Sequence, residues 1–259
     1  MIVAGVLRAR RRSILWWSVA VAGVGVMYTL FFPMMQTMDT GAMLSSFPDS
    51  VTAALGWDAL SSGAGYLHVT VYGLVGMAVL LACAIGAGAR LVAGEEEAGL
   101  LELELAAPVS RTRVYLERLA VLAVSVAVPA LALLVAVLVL DPVLDLEIPA
   151  VNLVAATAAL WLFGVTIGLV AYAVGAVTGR RGVAMAAGAG LAVVSYFASW
   201  VGPLADLEWL ARISPYWWYA GERPVVNGAD WAGMALLAAL AAVAAGVGIA
   251  GFLRRDTAT

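Results

Sequence analysis

Long uncharged apolar runs alternate with short polar segments along the whole chain. Six runs reach the roughly 20 residues that a helix needs to cross about 30 Å of hydrocarbon. They predict spans at about 13–35, 66–89, 119–140, 150–177, 183–204 and 231–253 within a single domain over 1–259. The fourth uncharged run, Ile148–Gly179, is longer than a crossing requires, which points to tilt or to partial burial.

The basic residues sort between these runs. Arg8, Arg10, Arg11 and Arg12 precede the first span, and Arg90, Arg111, Arg113 and Arg118 separate the second from the third. Arg180 and Arg181 separate the fourth from the fifth, and Arg254 and Arg255 follow the sixth. Only Arg212 and Arg223 fall on the opposite side, where acidic residues such as Asp39, Asp141 and Glu222 collect. The positive-inside rule then predicts a multi-pass plasma-membrane protein with both termini in the cytoplasm. Trp217, Trp218 and Tyr219 are expected in the outer aromatic belt, and Trp16 and Trp17 in the inner one. A basic stretch before an apolar run also outlines a signal peptide. The run is too long for one, and no small-residue cleavage site follows Phe31-Phe32-Pro33, so it is expected to remain as a span.

The connecting segments carry patterns of their own. Ile2, Val3, Val6 and Leu7 recur at helical spacing beside Arg8, Arg10 and Arg11, which predicts an N-terminal amphipathic helix in the inner interface. Val51 to Leu60 is expected as a short surface helix. Leu204, Leu207, Leu210 and Ala211 share a face, predicting an outer amphipathic or re-entrant segment that ends before Ser214-Pro215. The inner loop predicts a helix parallel to the membrane, with Ala98, Leu101 and Leu105 on one stripe, Glu95–Glu97 at its N-terminus and Pro108 stopping it. Ser110 can then cap a second helix that opens with Arg111 and Arg113.

Composition narrows the chemistry. The chain is 64% hydrophobic and 12% charged, far from the roughly 25% charged residues of a soluble domain. All fourteen basic residues are Arg, and a P-loop needs its lysine, so no Walker A site is present. The single cysteine, Cys83, allows no intramolecular disulfide and reads as a small apolar filler. The single histidine, His68, rules out a multi-His metal site. No catalytic, metal or cofactor residues are therefore assigned, and the chain is expected not to be an enzyme. No Asp, Glu, Lys or Arg is expected well inside a span, which argues against ion-coupled transport. Polar faces within spans, His68 with Tyr72, Ser195 with Ser199, and Tyr196 with Trp200, each at i, i+4, are candidates to line a translocation path, and they equally suit ordinary helix–helix hydrogen bonding and an interfacial belt, with a structural or interfacial role favoured for His68. Gly164 with Gly168, and Gly175 with Gly179, are expected to permit tight packing between spans.

The pattern Glu97-x-Gly99-x-Leu101-Glu102-x-x-x-Ala106-x-Pro108-Val109-Ser110-Arg111 resembles the coupling-helix region of ABC type 2 permeases. The late segment is also similar to the end of such permeases, through Ile213-Ser214-Pro215-Tyr216-x-Trp218, Pro224, Asn227-Gly228 and Phe252-x-Arg254-Arg255-Asp256. Leu100 departs from the family, which often has Thr there. The resemblance implies a six-helix half-transporter that pairs with a second permease copy, identical or different. It implies a separate cytoplasmic ABC ATPase subunit that holds the ATP and Mg, docked through Glu97, Gly99, Leu101, Glu102, Leu105, Pro108 and Arg111. The expected function is ATP-driven export of a hydrophobic or amphipathic substrate such as a drug, antibiotic or lipid, with membrane lipids as neighbours and no nucleic-acid partner. A multi-pass protein outside the ABC class (a secondary carrier, an assembly or immunity factor) shares the same outline. A membrane-embedded enzyme fits less, because one histidine and no intramembrane carboxylate leave little to build a site from.

Overall fold

The computed structural model describes residues 2–37, 48, 52, 59–99 and 110–254. Their regular elements are helices. In chain order the long ones are α1 (Ile2–Thr37), α2 (Gly63–Glu97), α3 (Arg111–Leu140), α4 (Ala150–Thr178) and α5 (Arg181–Leu204). Three short helices follow, α6 (Glu208–Arg212), α7 (Pro215–Ala220) and α8 (Pro224–Asn227), and α9 (Trp231–Arg254) closes the fold. The six long helices are all long and apolar enough to cross a membrane. Their apolar side chains replace water as the backbone's surroundings, and a helix pairs its own amides and carbonyls without help from solvent.

The packing centres on α4. It is apolar all round, the mark of a helix covered on every side, and it touches α2, α3, α5 and α9. Leu153, Leu160, Phe163, Ile167 and Tyr172 are fully covered there. Small residues set how closely its neighbours approach. A Cβ at Gly88 of α2 would run into the carbonyl oxygen of Gly168, and one at Gly164 would press on Val126 and Leu80. The Gly164/Gly168 pattern therefore serves packing within the chain, as the spacing predicts. Gly179 ends α4 in the left-handed region (φ 65°), with its amide on the Gly175 carbonyl at 2.8 Å. On the opposite flank α1 lies along α3, where Gly25 faces Leu133.

The arginine-bearing ends meet at one end of the bundle. The Val3 amide donates to Glu117 (3.2 Å), Arg118 pairs with Glu95, and the Arg181 amide donates to Glu97 (2.8 Å). Arg212 and Arg223 sit among the short helices at the other end.

The structure departs from the sequence expectations in four places. The expected interfacial helix at the N-terminus is no separate element, because α1 is unbroken from Ile2 to Thr37. Nothing in Arg8–Ser13 interrupts helical hydrogen bonding, and Glu117 receives the helix's first turn. Secondly, Glu95–Glu97 do not open a new helix. They end α2, whose ladder runs on from the apolar span, and Gly99 terminates it at φ 68° with its amide on the Glu96 carbonyl. Thirdly, Arg118 is no loop residue. Helix α3 begins at Arg111, capped by Ser110 as expected, and Arg118 lies two turns in with no exposure. Fourthly, Tyr219 is no belt residue, since it is 2% exposed and packs inside the bundle. The expected inner helix over Leu101–Leu105 with its stop at Pro108, and nearly all of the expected surface helix at 51–60, lie outside the described residues.

The Gly88–Gly168 contact makes a direct prediction. Gly88→Val should lower stability by about 1–3 kcal/mol, the usual cost of forcing atoms into a filled core. Gly190→Ala, where a Cβ meets nothing within 4 Å, should be neutral or slightly stabilising. Thermal unfolding of the two variants in one detergent checks the contrast.

Candidate functional site

At the arginine end, three carboxylates from two helices bind the bundle together. Glu95, at the end of α2, pairs with the buried Arg118 of α3, whose guanidinium also donates to the Leu91 carbonyl. Glu97 accepts from the backbone amide of Arg181, in the first turn of α5. Glu117 of α3 accepts from the Val3 amide in the first turn of α1, and from Arg113 Nε at 2.8 Å. Carboxylates at helix N-termini satisfy amides that have no partner within the helix and complement the helix dipole. The glutamates at the end of α2 oppose its own dipole, and these partners offset that cost.

Of the residues expected to couple to a partner, Glu97, Gly99 and Arg111 are described, and Leu101, Glu102, Leu105 and Pro108 lie outside the described residues. Glu97 and Gly99 mark the end of α2 and Arg111 the start of α3. The segment between them therefore joins two spans directly and a third, α5, through the Glu97 carboxylate.

A second feature lies in α2 towards the other end. His68–Tyr72 is a π-helical turn, with the Gly73 amide on the His68 carbonyl, and Leu74 leaves helical geometry altogether (φ −135°, ψ −81°). A second π-helical turn spans Arg90–Gly94. Such widened turns displace carbonyls from their usual partners. Two tyrosines of α7 answer this. Tyr219 donates its hydroxyl to the Tyr72 carbonyl (2.7 Å) and Tyr216 to the Gly73 carbonyl (3.0 Å). Ser214 caps α7 through the Tyr216 amide and donates to the Ser195 carbonyl of α5 (2.6 Å). Tyr219 also stacks on Phe163 of α4, with centroids 5.1 Å apart and planes nearly parallel. The segment of short helices is thus folded back onto α2, α4 and α5.

The expected path residues fall around this brace. Tyr72 is fully buried and bonds Thr157 of α4 at 3.0 Å. His68 is buried, and its Nδ1 has no partner among the described residues. Ser195 and Ser199 return their hydroxyls to the carbonyls of Ala192 and Tyr196 in their own helix. Tyr196 meets Tyr216 edge-on at 5.1 Å and Trp200 at 6.3 Å. Tyr216 therefore links the α2 group to the α5 group, but most of these side chains are committed to packing. Tyr196 lines an apolar groove of about 580 Å³ between α2 and α5, with Phe197, Leu74 and Met77.

This assembly of six long apolar helices, short re-entering helices and an arginine-rich end can be set beside known proteins. A family model described as "Multidrug efflux system permease Rv1217c, C-terminal domain" matches residues 3–253. The chain belongs to this family. No curated protein matches it. Among the described residues no group of three or more His, Cys, Asp and Glu could hold a metal ion. The described residues position helices, through the carboxylate ties, the π-helical turns and the tyrosine brace.

Sequence reasoning missed Arg118, Tyr216 and Tyr219. A signal existed for Arg118, because it sits at helical spacing from Val114, Tyr115, Leu122 and Val126, which are all buried. Nothing local marks the tyrosines as partners of α2, since their contacts span more than 140 residues.

The asymmetry of the Glu95–Arg118 pair predicts an ordering. Glu95→Ala leaves a guanidinium with no exposure short of this carboxylate, whereas Arg118→Met leaves Glu95 a side chain that is 26% exposed and can turn to water. Glu95→Ala should therefore be the more destabilising, approaching the roughly 3–5 kcal/mol of a broken buried pair. Urea or thermal unfolding of both variants in detergent reads the order.

Proposed function

We propose that the chain is the membrane subunit of an ATP-driven exporter of the ABC type 2 class. It holds no nucleotide site of its own, and ATP with Mg is bound by a separate cytoplasmic ATPase subunit. Two permease halves pair in the plasma membrane, with the arginine-rich end and both termini in the cytoplasm. Its cargo is hydrophobic or amphipathic. The family of efflux permeases, the arginine sorting, the absence of lysine and the Glu97–Arg111 motif all support this reading.

The observation that carries it is mechanical. The segment from Glu97 to Arg111 connects α2 to α3, and Glu97 reaches the first turn of α5. A push on this segment is felt by three spans at once. The π-helical turns and the tyrosine brace give α2 a site where its two halves change direction. Nucleotide binding drives the change only if the ATPase holds one arrangement of this segment more tightly than the other. Leu101, Leu105 and Pro108 supply the apolar contact with the ATPase, and Glu102 the charged one. The apolar groove beside Tyr196 gives a hydrophobic solute a place to enter from the bilayer.

The test is co-purification followed by uncoupling. The chain, isolated gently from its native membrane, should bring down an ATPase with a P-loop. Glu102→Arg should abolish transport-linked stimulation of that ATPase while leaving the melting temperature of the permease unchanged. Efflux that persists without any ATPase and collapses with a protonophore would overturn the proposal.

A further inference from the structure

A second cavity, of about 410 Å³, opens at the arginine end between α1, α2, α3 and α5. Three guanidinium-bearing residues from three helices line it: Arg10 of α1, Arg90 of α2 and Arg181 of α5, with Ser13 and Trp17 of α1 and Ser125 of α3. The stems of Arg90 and Arg181 pass on either side of Gly94, where an added Cβ would lie 3.4 and 3.5 Å from them. Arg10 and Arg90 are close enough to repel one another. Among the described residues, Glu95 acts on Arg10 and pairs with Arg118, and Glu97 accepts from the Arg181 backbone. Like charges that line one cavity repel, and an anion placed among them relieves that repulsion.

Two buried donors point the same way. Ser125 is 2% exposed, and its Oγ has no hydrogen-bond partner among the described residues. The buried Nε of Arg181 likewise has none. A hydroxyl and a guanidinium Nε–H both offer a proton, and such groups are rarely left bare in a protein interior. A charged, oxygen-rich group accepts from both, and bonds of this kind are among the stronger ones.

The cavity adjoins the apolar groove, since Ala82 and Met185 line both. The groove then follows α5 from Met185 to Phe197, about 18 Å at 1.5 Å per residue. That length is comparable to one leaflet of a bilayer whose core is about 30 Å thick. A cationic pocket thus lies next to an apolar groove about one leaflet long.

We infer that these adjoining cavities bind one anionic amphiphile, its phosphate or comparable acidic headgroup among Arg10, Arg90 and Arg181 and its hydrocarbon tail along the α2–α5 groove. The occupant is either a phospholipid of the surrounding leaflet or an acidic amphiphile in transit, and both present the same chemistry to the site. The binding needs no ATPase, so it stands or falls separately from the exporter reading.

The test uses the whole purified chain and native mass spectrometry. The probes are dipalmitoyl phosphatidylglycerol, dipalmitoyl phosphatidylcholine, dodecyl phosphate and inorganic phosphate. The wild type and Arg212→Gln, a charge loss at the opposite end, should bind phosphatidylglycerol in preference to phosphatidylcholine. Arg90→Gln/Arg181→Gln keeps the amide that Glu97 accepts from and should lose about tenfold or more of that preference at an unchanged melting temperature. Ala189→Trp, which fills the groove, should weaken dodecyl phosphate several-fold without changing weak binding of inorganic phosphate. Anionic phospholipid that is retained through purification by the wild type and lost by the arginine variant identifies a resident lipid. Saturable dodecyl phosphate binding with no retained lipid identifies a solute in transit. Equal binding of the two phospholipids, an arginine variant that binds like wild type, or full competition by inorganic phosphate would each overturn the inference.

Discussion

In hydrocarbon, a backbone carbonyl that leaves its helical partner has no water to turn to. Most of this chain meets that constraint by remaining helical. Helix α2 does not, because it widens at His68–Tyr72 and breaks at Leu74. The departure is tolerated because protein groups replace the missing partners: the phenols of Tyr219 and Tyr216 on the carbonyls of Tyr72 and Gly73. The shape of the outer segment follows from this need. Proline at the start of α7 and the Ser214 cap direct a one-and-a-half-turn helix inward, so that two tyrosines on one face reach α2. Phe163 of α4 supports Tyr219 from behind. The irregular helix, the outer segment and the central helix are therefore one mechanical unit.

The arginine end obeys a different constraint. Charges there must be paired wherever helices crowd them away from water. Glu95, Glu97 and Glu117 each reach a different neighbour, and each contact crosses from one helix to another. Two of the three land on helix first turns, where amides are otherwise unpaired. The consequence is that α1, α3 and α5 all start from carboxylates carried by α2 or α3, or from a serine cap. A movement of the α2–α3 connection cannot remain local while these ties hold.

Much of the architecture was legible in the chain. Hydrophobic length located all six spans, because length and apolarity are what the bilayer selects. The Ser110 cap and the glycine packing of α4 were legible too, since each depends on residues a few positions apart. The errors occurred where the decisive partner is remote or where two local signals compete. Glu95–Glu97 read as a helix start because acids favour N-termini, but Gly99 outweighed them by offering the left-handed residue that ends a helix. Arg118 was counted with the loop because charge usually marks the edge of a span, and the pairing with Glu95 drew it inward. Tyr219 read as an interfacial aromatic because its neighbours are Trp217 and Trp218. Its hydroxyl is instead satisfied 147 residues away.

The distribution of charge also says where energy can enter. Ion pairs among the described residues lie at the ends of the bundle, and the middle of each long helix is apolar or carries hydroxyls, phenols, the Cys83 thiol, the Trp161 indole and one histidine. The charge-paired groups are gathered where α2 hands over to α3. Work done on the bundle is best transmitted at that end, through a connection that three helices share. Any solute that settles among Arg10, Arg90 and Arg181 lies beside the same connection, with Glu97 bonded to the backbone of one of those arginines. The proposed headgroup site and the α2–α3 connection are therefore neighbours in the fold.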